Sequence, residues 1–582
     1  PLLPRARGRY MRSDGGTAPH DSADWRGCHA VLSGPAGGVV ASAALAQDAD
    51  LGPIVSLDMG GTSTDVAAIV GGVARTEHLE LAGLRLRVPA VALHTVAAGG
   101  GSVLRVTGGV YAVGPESAGA EPGPAAYGRG GPATVTDCEA VLGRLPGFPE
   151  VCGPGRDQPL DLEAARAALH ALDPSQPVEA VAAGFREVAH ATMARAVAGV
   201  AASRGLDVRD CALLAFGGAG PAHGCGVARK LGMRRVVVPL LAGGFSAVGV
   251  GIAGRRSAET VVVGARVCDA LSGLSVPFLG EQCLSLGVRH VGTGPLLDLP
   301  VSRADVENLG SPVLQGGLRA RFDRLHATEL GFTRPGLAVE VVELRCVTVE
   351  ADAPLPGVQS VRSSTNTRLS PAVVRAWFGG ARDVPVFDVA DVGATDDLVG
   401  PALLKGLGCT VVVDPGWRVT RARGCWVLVD ESPLEAVTGA DFDPVETSVF
   451  GSQIGGIADQ MGLQLQRLAR SVSIRERLDF SCAVFDAEGQ LAANAPHVPV
   501  HLGAMGETVR DLLAREPRRL MPGTFWVSND PYHGGSHLPD ITVMAPVFGE
   551  SGARIGFVAA RGHHVDVGGS RPGSMPADAR SI

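Results

Sequence analysis

At 582 residues the chain exceeds what one compact core supports, and several domains of ordinary size are expected. Hydrophobic residues at 46% and charged residues at 19% exclude disorder as the main state and describe a folded globular protein. The 51 basic and 59 acidic residues give a net charge of -8 without a long run of either sign, which speaks against duplex nucleic acid or an anionic membrane as partner.

The only lysines are Lys230 and Lys405. A phosphate-loop lysine or a lysine nucleophile is therefore not expected, and a phosphate would be held by backbone amides, hydroxyls, metal or arginine. Eleven cysteines are scattered from Cys28 to Cys482 with no CxxC pair, which argues against a disulfide framework or zinc ribbon and suits a reducing, cytoplasmic setting. No stretch approaches about 20 continuous apolar residues, and the N-terminus lacks the charged-then-apolar layout of a signal peptide. Starting at Pro1 and stopping at Ile582, soon after a Gly-rich string, the chain reads as a fragment.

Over residues 12–251, apolar runs at 54–57, 212–216 and 235–239 alternate with Gly-rich turns and helix-like segments, the rhythm of an α/β domain. Residues 162–205 are rich in Ala, Arg and Glu with apolar residues three and four apart, which predicts helix packed on the sheet. From 256 to 430 the pattern changes to short β-branched runs such as 339–349 and 410–413, which predicts a smaller strand-rich domain. An acidic, Pro-containing linker follows, and 450–469 reads as an amphipathic helix opening a second functional part.

The string Ile54-Val-Ser-Leu-Asp-Met-Gly-Gly-Thr-Ser-Thr-Asp65 runs an apolar strand into a tight glycine turn. Gly60 and Gly61 let backbone amides approach an anion, Thr62 and Thr64 can donate to phosphate oxygens, and Asp58 and Asp65 can orient Mg²⁺. A bare DxGG would serve equally as a hairpin turn; the recurrence of hydroxyls and acids favours phosphate chemistry. A second turn, Phe216-Gly-Gly-Ala-Gly-Pro-Ala-His223, follows another apolar strand and supplies Gly217, Gly218 and Gly220. Together the two turns resemble the phosphate and adenosine loops of the sugar kinase, chaperone ATPase and actin superfamily.

Further strings, Ser33-Gly-Pro-Ala-Gly-Gly38, Thr95-Val-Ala-Ala-Gly-Gly-Gly-Ser102, Val113-Gly-Pro-Glu-Ser-Ala-Gly-Ala-Glu-Pro-Gly-Pro124 and Thr134-Val-Thr-Asp137, read singly as loops. In this order they resemble the hydantoinase A/5-oxoprolinase family over residues 11–251. The pattern departs from the family at Ala92, where relatives carry an acid, and the family's earlier DxGGTxTD-like turn has no counterpart here.

Histidine concentrates near the C-terminal end, at His497, His501, His533, His537, His563 and His564. His537-Leu-Pro-Asp540 and His563-His-Val-Asp566 repeat an HxxD spacing, and Asp479 lies upstream in Glu476-Arg-Leu-Asp-Phe-Ser-Cys482. One HxxD caps turns readily; two, with a further acid, suit a divalent transition metal such as Zn²⁺ or Mn²⁺ that lowers the pKa of water. Asp530 and His533 form a weaker, ligand-like DxxH. The strings around these residues resemble hydantoinase B and the second half of 5-oxoprolinase over 444–582.

The resemblance implies a multidomain α/β chain. A nucleotide-binding-type domain is expected over 1–255, a strand-rich domain over 256–432, a linker over 433–446 and the start of an α+β hydantoinase B half over 447–582. It also implies ATP-dependent opening of a cyclic amide, 5-oxo-L-proline to L-glutamate, with ATP and Mg²⁺ at Asp58 to Asp65. His537, Asp540, His563 and Asp566 would be catalytic and, with Asp479, metal-binding. A homo-oligomer of the full-length form is expected. N-methylhydantoinase, caprolactam-opening and ketone carboxylase activities share both halves, and a nucleotide-binding remnant without turnover is the reading from another class.

Overall fold

The computed structural model describes residues 8–20, 26–76, 79–81, 84–86, 88–266, 282–291, 296–308, 312–330, 333, 336–356, 371–393, 397–432, 444–469, 471–475, 477–495, 498–516, 519–549, 551–564 and 567. The expected linker at 433–446 and the candidate residues His497 and Asp566 fall wholly or largely outside this set.

Helix α1 (Ser33–Asp48) precedes strands β1 (Ile54–Met59), β2 (Thr64–Ile69) and β3 (His94–Val96). Next come helix α2 (Val135–Val141), the long helix α3 (Val178–Ser203), strand β4 (Ala212–Phe216), helix α4 (Gly220–Lys230), strand β5 (Arg235–Pro239) and helix α5 (Phe245–Ile252). Strand β4 runs parallel between β1 and β5 and is buried throughout, which is why its sequence is an unbroken apolar run. The helix expected over 162–205 is two helices, Leu162–Leu172 and α3, separated where Pro174 and Pro177 interrupt the pattern. The string 33–38, a loop by composition, instead opens α1. Its glycines let α1 and α5 touch: a Cβ built on Gly249 would lie 1.8 Å from the Gly37 carbonyl oxygen.

Strands β6 (Arg256–Arg266), β7 (Gln282–His290), β8 (Leu297–Val301) and β9 (Val339–Val349), with helix α6 (Pro312–Leu330), form an antiparallel sheet in the order β6-β9-β7-β8. It has its own core around Leu286, Phe322 and Leu344. Strands β10 (Ala372–Trp377), β11 (Ala381–Asp388), β12 (Leu398–Val399), β13 (Ala402–Gly406), β14 (Cys409–Val413), β15 (Trp417–Ala422) and β16 (Cys425–Asp430) then divide between two sheets. Four pair as β10-β11-β13-β14, whereas β12, β15 and β16 return to the first body, giving an eight-stranded sheet β12-β15-β16-β5-β4-β1-β2-β3. The strand-rich stretch expected as one unit is thus split. Trp417 and Trp426 are fully buried in the first body's core, and burying on the order of 150–250 Å² of each indole explains the return.

The last part holds helix α7 (Pro444–Leu468), strands β17 (Phe480–Asp486) and β18 (Leu491–Asn494), helix α8 (Pro499–Arg515) and strands β19 (Trp526–Ser528), β20 (Asp540–Phe548) and β21 (Arg554–His563). The sheet order is β18-β17-β21-β20-β19. Alternation along β17 serves two cores: Ala483 and Phe485 meet Met505 and Val509 of α8, while Phe480 and Cys482 meet Met461 and Leu465 of α7. Helix α7 also packs on α3, where Arg195 Nε donates to Asp459 Oδ2 at 2.6 Å. Among the described residues no helix is long and apolar enough to cross a membrane, and the cysteines are free thiols.

Candidate active site

The β1–β2 hairpin sets Asp58 directly opposite Asp65. Burial pushes the Asp58 carboxyl up to about 6; the Ser246 hydroxyl, donating at 2.8 Å, opposes this and nearby Asp65 adds to it. Burial raises Asp65 as well, against a 2.5 Å bond from the Thr95 hydroxyl. Among the described residues neither carboxylate has a cationic partner. Facing like charges cost stability, and a divalent cation placed here would relieve both.

One side of the turn is open and the other is backed by backbone. A Cβ on Gly60 or Gly61 would meet nothing within 4 Å. Behind them, Gly100 N donates to Gly60 O at 3.0 Å and Gly101 N to Gly61 O at 2.6 Å. A Cβ on Gly99 would lie 2.6 Å from the Thr62 carbonyl carbon, so the glycine string 99–101 is a fitted backing. Thr62 is exposed at the turn. Thr64 is placed otherwise than expected: it is fully buried and its hydroxyl donates to Ala98 O, so it faces the core rather than a phosphate.

The second turn sits against the first because β4 pairs in parallel with β1, aligning Phe216 with Asp58. Ala219 N donates to Met59 O at 3.0 Å. Gly217 adopts φ +84°, and a Cβ there would lie 2.4 Å from Met59 O and 2.6 Å from Asp58 Oδ1. Gly220 begins α4, with its Cβ position 3.2 Å from Leu57 O, and Gly218 faces the space between the turns. That space is a cavity of about 330 Å³, bounded by Gly60, Gly61 and Gly218 on one side and by Tyr127, Phe148 and Lys405 on the other.

Beneath the cavity lies a charge network that motif reading missed. Arg186 on α3 donates from Nε to Glu139 Oε1 of α2 at 2.8 Å and from Nη2 to Ala222 O at 3.2 Å. Burial would raise Glu139, but Arg186, His223 and Arg144 outweigh it and hold its pKa below the usual range. His190 Nε2 and His223 Nδ1 are 3.1 Å apart; burial first of all lowers them to about 3 and about 4, so both rings are neutral near pH 7. The available signal was an arginine on a helix whose neighbours on nearly every side are apolar.

In the last part, the turn 534–540 brings His537 to Asp540 at the start of β20, and β21 ends opposite it at His563. His537 Nε2 and His563 Nδ1 each lie 3.0 Å from Asp540 Oδ1 and 3.2 Å from one another. Ligands at right angles on an ion with bonds of about 2.1 Å stand about 3.0 Å apart, so the donor set and its spacing fit a transition metal. Asp540 is buried, and among the described residues its Oδ2 has no hydrogen-bond donor; His501 Nε2 lies 3.5 Å from it.

Asp479 is not drawn into this group. Its carbonyl accepts from His563 N at 3.0 Å, which fixes it beside the strand end, and its carboxylate faces His501 at 3.9 Å. His533 turns instead to Asp511 of α8 at 3.1 Å. Arg561, unremarked in the sequence, is fully buried and ties the 534–536 turn to α8 through Gly534 O, Ser536 Oγ and Thr508 Oγ1.

Comparison with known families gives two matches in chain order. The model described as Hydantoinase/oxoprolinase matches residues 4–259, and that described as Hydantoinase B/oxoprolinase matches residues 443–582. The chain belongs to the hydantoinase/oxoprolinase family. Within this family it is 38% identical to 5-oxoprolinase 1 of Arabidopsis thaliana over 98% of this chain and 48% of that protein. The chain spans about half the length of the curated 5-oxoprolinases it matches. Among solved structures, the ATP-dependent caprolactamase from Pseudomonas jessenii superposes with a TM-score of 0.57 at 26% identity, covering 73% of this chain and 65% of that one. Nucleotide-free acetone carboxylase superposes at 0.60 with 23% identity, over 73% and 64%, a likeness of fold.

Proposed function

We propose that this chain carries the nucleotide and metal sites of an ATP-dependent enzyme that opens a cyclic amide, 5-oxo-L-proline to L-glutamate. The observation that carries the reading is the meeting of two glycine turns across one cavity, beside the opposed carboxylates of Asp58 and Asp65. An unstrained lactam resists hydrolysis, and transfer of the terminal phosphoryl group of ATP to the lactam oxygen, with ADP leaving, makes the ring carbon electrophilic. Overall one lactam, one ATP and two waters give the amino acid, ADP and phosphate.

In this reading the amides of Gly61 and Gly218 and the Thr62 hydroxyl grip the phosphates, as in the sugar kinase and actin superfamily that the turns resemble, while Gly60 and Gly217 shape the turns, their own N–H groups donating to Ser63 O and Ala242 O. Asp58 and Asp65 orient Mg²⁺, and Gly220 starts the helix that supports the second turn. His537, Asp540 and His563, with Asp566 and Asp479 as further candidates, would hold Zn²⁺ or Mn²⁺, which when bound supplies a water of lowered pKa. The segments 1–255, 256–432 and 447–582 would act together, and a homo-oligomer is the proposed state of the full-length form, with no role for nucleic acid or membrane. The test is ATP hydrolysis by the full-length protein with and without 5-oxo-L-proline, following glutamate. Turnover that needs both supports the reading; consumption of ATP only with caprolactam, a hydantoin, or acetone plus bicarbonate moves the substrate elsewhere, and binding without turnover leaves a nucleotide-binding remnant.

A further inference from the structure

One wall of the glycine-turn cavity has no part in gripping phosphate. Lys405, at the end of β13, lines it and is one of only two lysines in a chain with 51 basic residues. The other, Lys230, is paired with Glu187 at 2.7 Å. Lys405 has no carboxylate partner among the described residues. Its stem lies along Gly147, whose φ is +68°; a Cβ there would sit 2.9 Å from Lys405 Cε and 3.2 Å from Nζ, so glycine at 147 makes room for the lysine.

Next to the ammonium the wall is apolar. Phe148, Tyr127 and Leu145 face the cavity, with the two aromatic rings 6.1 Å apart. Glu139 lines the same cavity at its buried floor, is held ionised by Arg186 and its neighbours, and among the described residues has no hydrogen-bond donor to Oε2. A cation without an anion, an acceptor without a donor and an aromatic wall match a small ring bearing a carboxylate and an N–H. At about 330 Å³ the space lies near the lower end of small-ligand pockets, roughly 300–1,000 Å³, with room for such a ring beside a terminal phosphoryl group.

We propose that this wall is the lactam subsite and that Lys405 selects cyclic amides that carry a carboxylate. The inference rests on the cyclic-amide reading above. The ammonium pairs with the substrate carboxylate, the ring methylenes pack on Phe148 and Tyr127, and the ring N–H donates to Glu139, which leaves the amide oxygen toward Gly60 and Gly61.

The experiment compares the full-length protein with its Lys405→Met and Lys405→Arg variants on 5-oxo-L-proline and on 2-pyrrolidinone, the same ring without the carboxylate, at varied ATP. Losing a charge-assisted bond should raise KM for 5-oxo-L-proline by about tenfold or more in Lys405→Met, with KM for ATP within about twofold. Preference for 5-oxo-L-proline over 2-pyrrolidinone should collapse with it, and Lys405→Arg should recover part of both. A rise in KM for ATP alone, or unchanged constants and preference, would overturn the assignment while leaving the cyclic-amide reading in place. A full-length protein that turns over no cyclic amide would overturn that reading and this inference together.

Discussion

The two candidate sites are built from different material. At the β1–β2 turn itself the surface offered to a ligand is mostly main chain, with glycines packed against glycines and the opposed Asp58 and Asp65 supplying charge, while Lys405 and Glu139 belong to the far wall and floor of the cavity. At the ends of β20 and β21 the groups that converge are side chains, two imidazoles on one carboxylate oxygen. The first should therefore be sensitive to an added methyl group and tolerant of lost hydroxyls, and the second the reverse. Phosphate needs many weak donors at close range, which backbone provides, whereas a transition metal needs a few strong donors.

The largest effect is expected at the second site. His537→Ala or His563→Ala in the full-length protein should lower bound metal and lactam-dependent turnover on the order of a hundredfold, read by elemental analysis and kinetics; full metal content in both variants would remove the site. Next comes the buried network under the cavity: Arg186→Met strands Glu139 and should cost about 3–5 kcal/mol in denaturant unfolding. Gly217→Ala must place a methyl group in a left-handed backbone against Met59 O, at about 2–4 kcal/mol and with loss of ATP binding by calorimetry.

Asp58→Asn should act in the opposite direction on stability. With the folded pKa raised to about 6 from 3.8, the nucleotide-free protein holds a proton that the unfolded chain releases, so stability falls as pH rises from about 4 to about 6. The full cost of the ionised carboxylate, about 2–3 kcal/mol, is present above that window. The variant should therefore melt higher than wild type at pH 8, equally at pH 4, and lose ATP turnover. Thr62→Val, at an exposed hydroxyl, should shift stability by less than about 0.5 kcal/mol; a larger loss would blur the contrast between backbone and side chain.

Legibility in the sequence follows the same division. Buried parallel strands such as β4 and β5 are apolar runs and could be read directly, and the HxxD spacing of His537 and Asp540 is local because one turn makes it. The meeting of Asp58 and Gly217 at the ends of adjacent strands was legible only through resemblance, since the chain between them has no fixed length. Thr64 was misplaced because alternation at the hairpin sends its side chain inward to Ala98 O. Glu139 and Arg186 carried no local signature: burial of a charge becomes visible only when helices from distant segments close around it. Lys405, exposed near the end of β13, showed in the sequence only as one of two lysines. The glycines of 33–38 looked like loop because composition does not distinguish a flexible turn from a tight helix crossing.

The central claim is that the glycine-turn cavity activates the lactam oxygen by phosphorylation before water attacks. Turnover of 5-oxo-L-proline labelled with ¹⁸O at the ring carbonyl, by the full-length protein with ATP, tests it most directly. The account predicts that the label appears in inorganic phosphate. Label found wholly in the glutamate carboxylate, with none in phosphate, would contradict it.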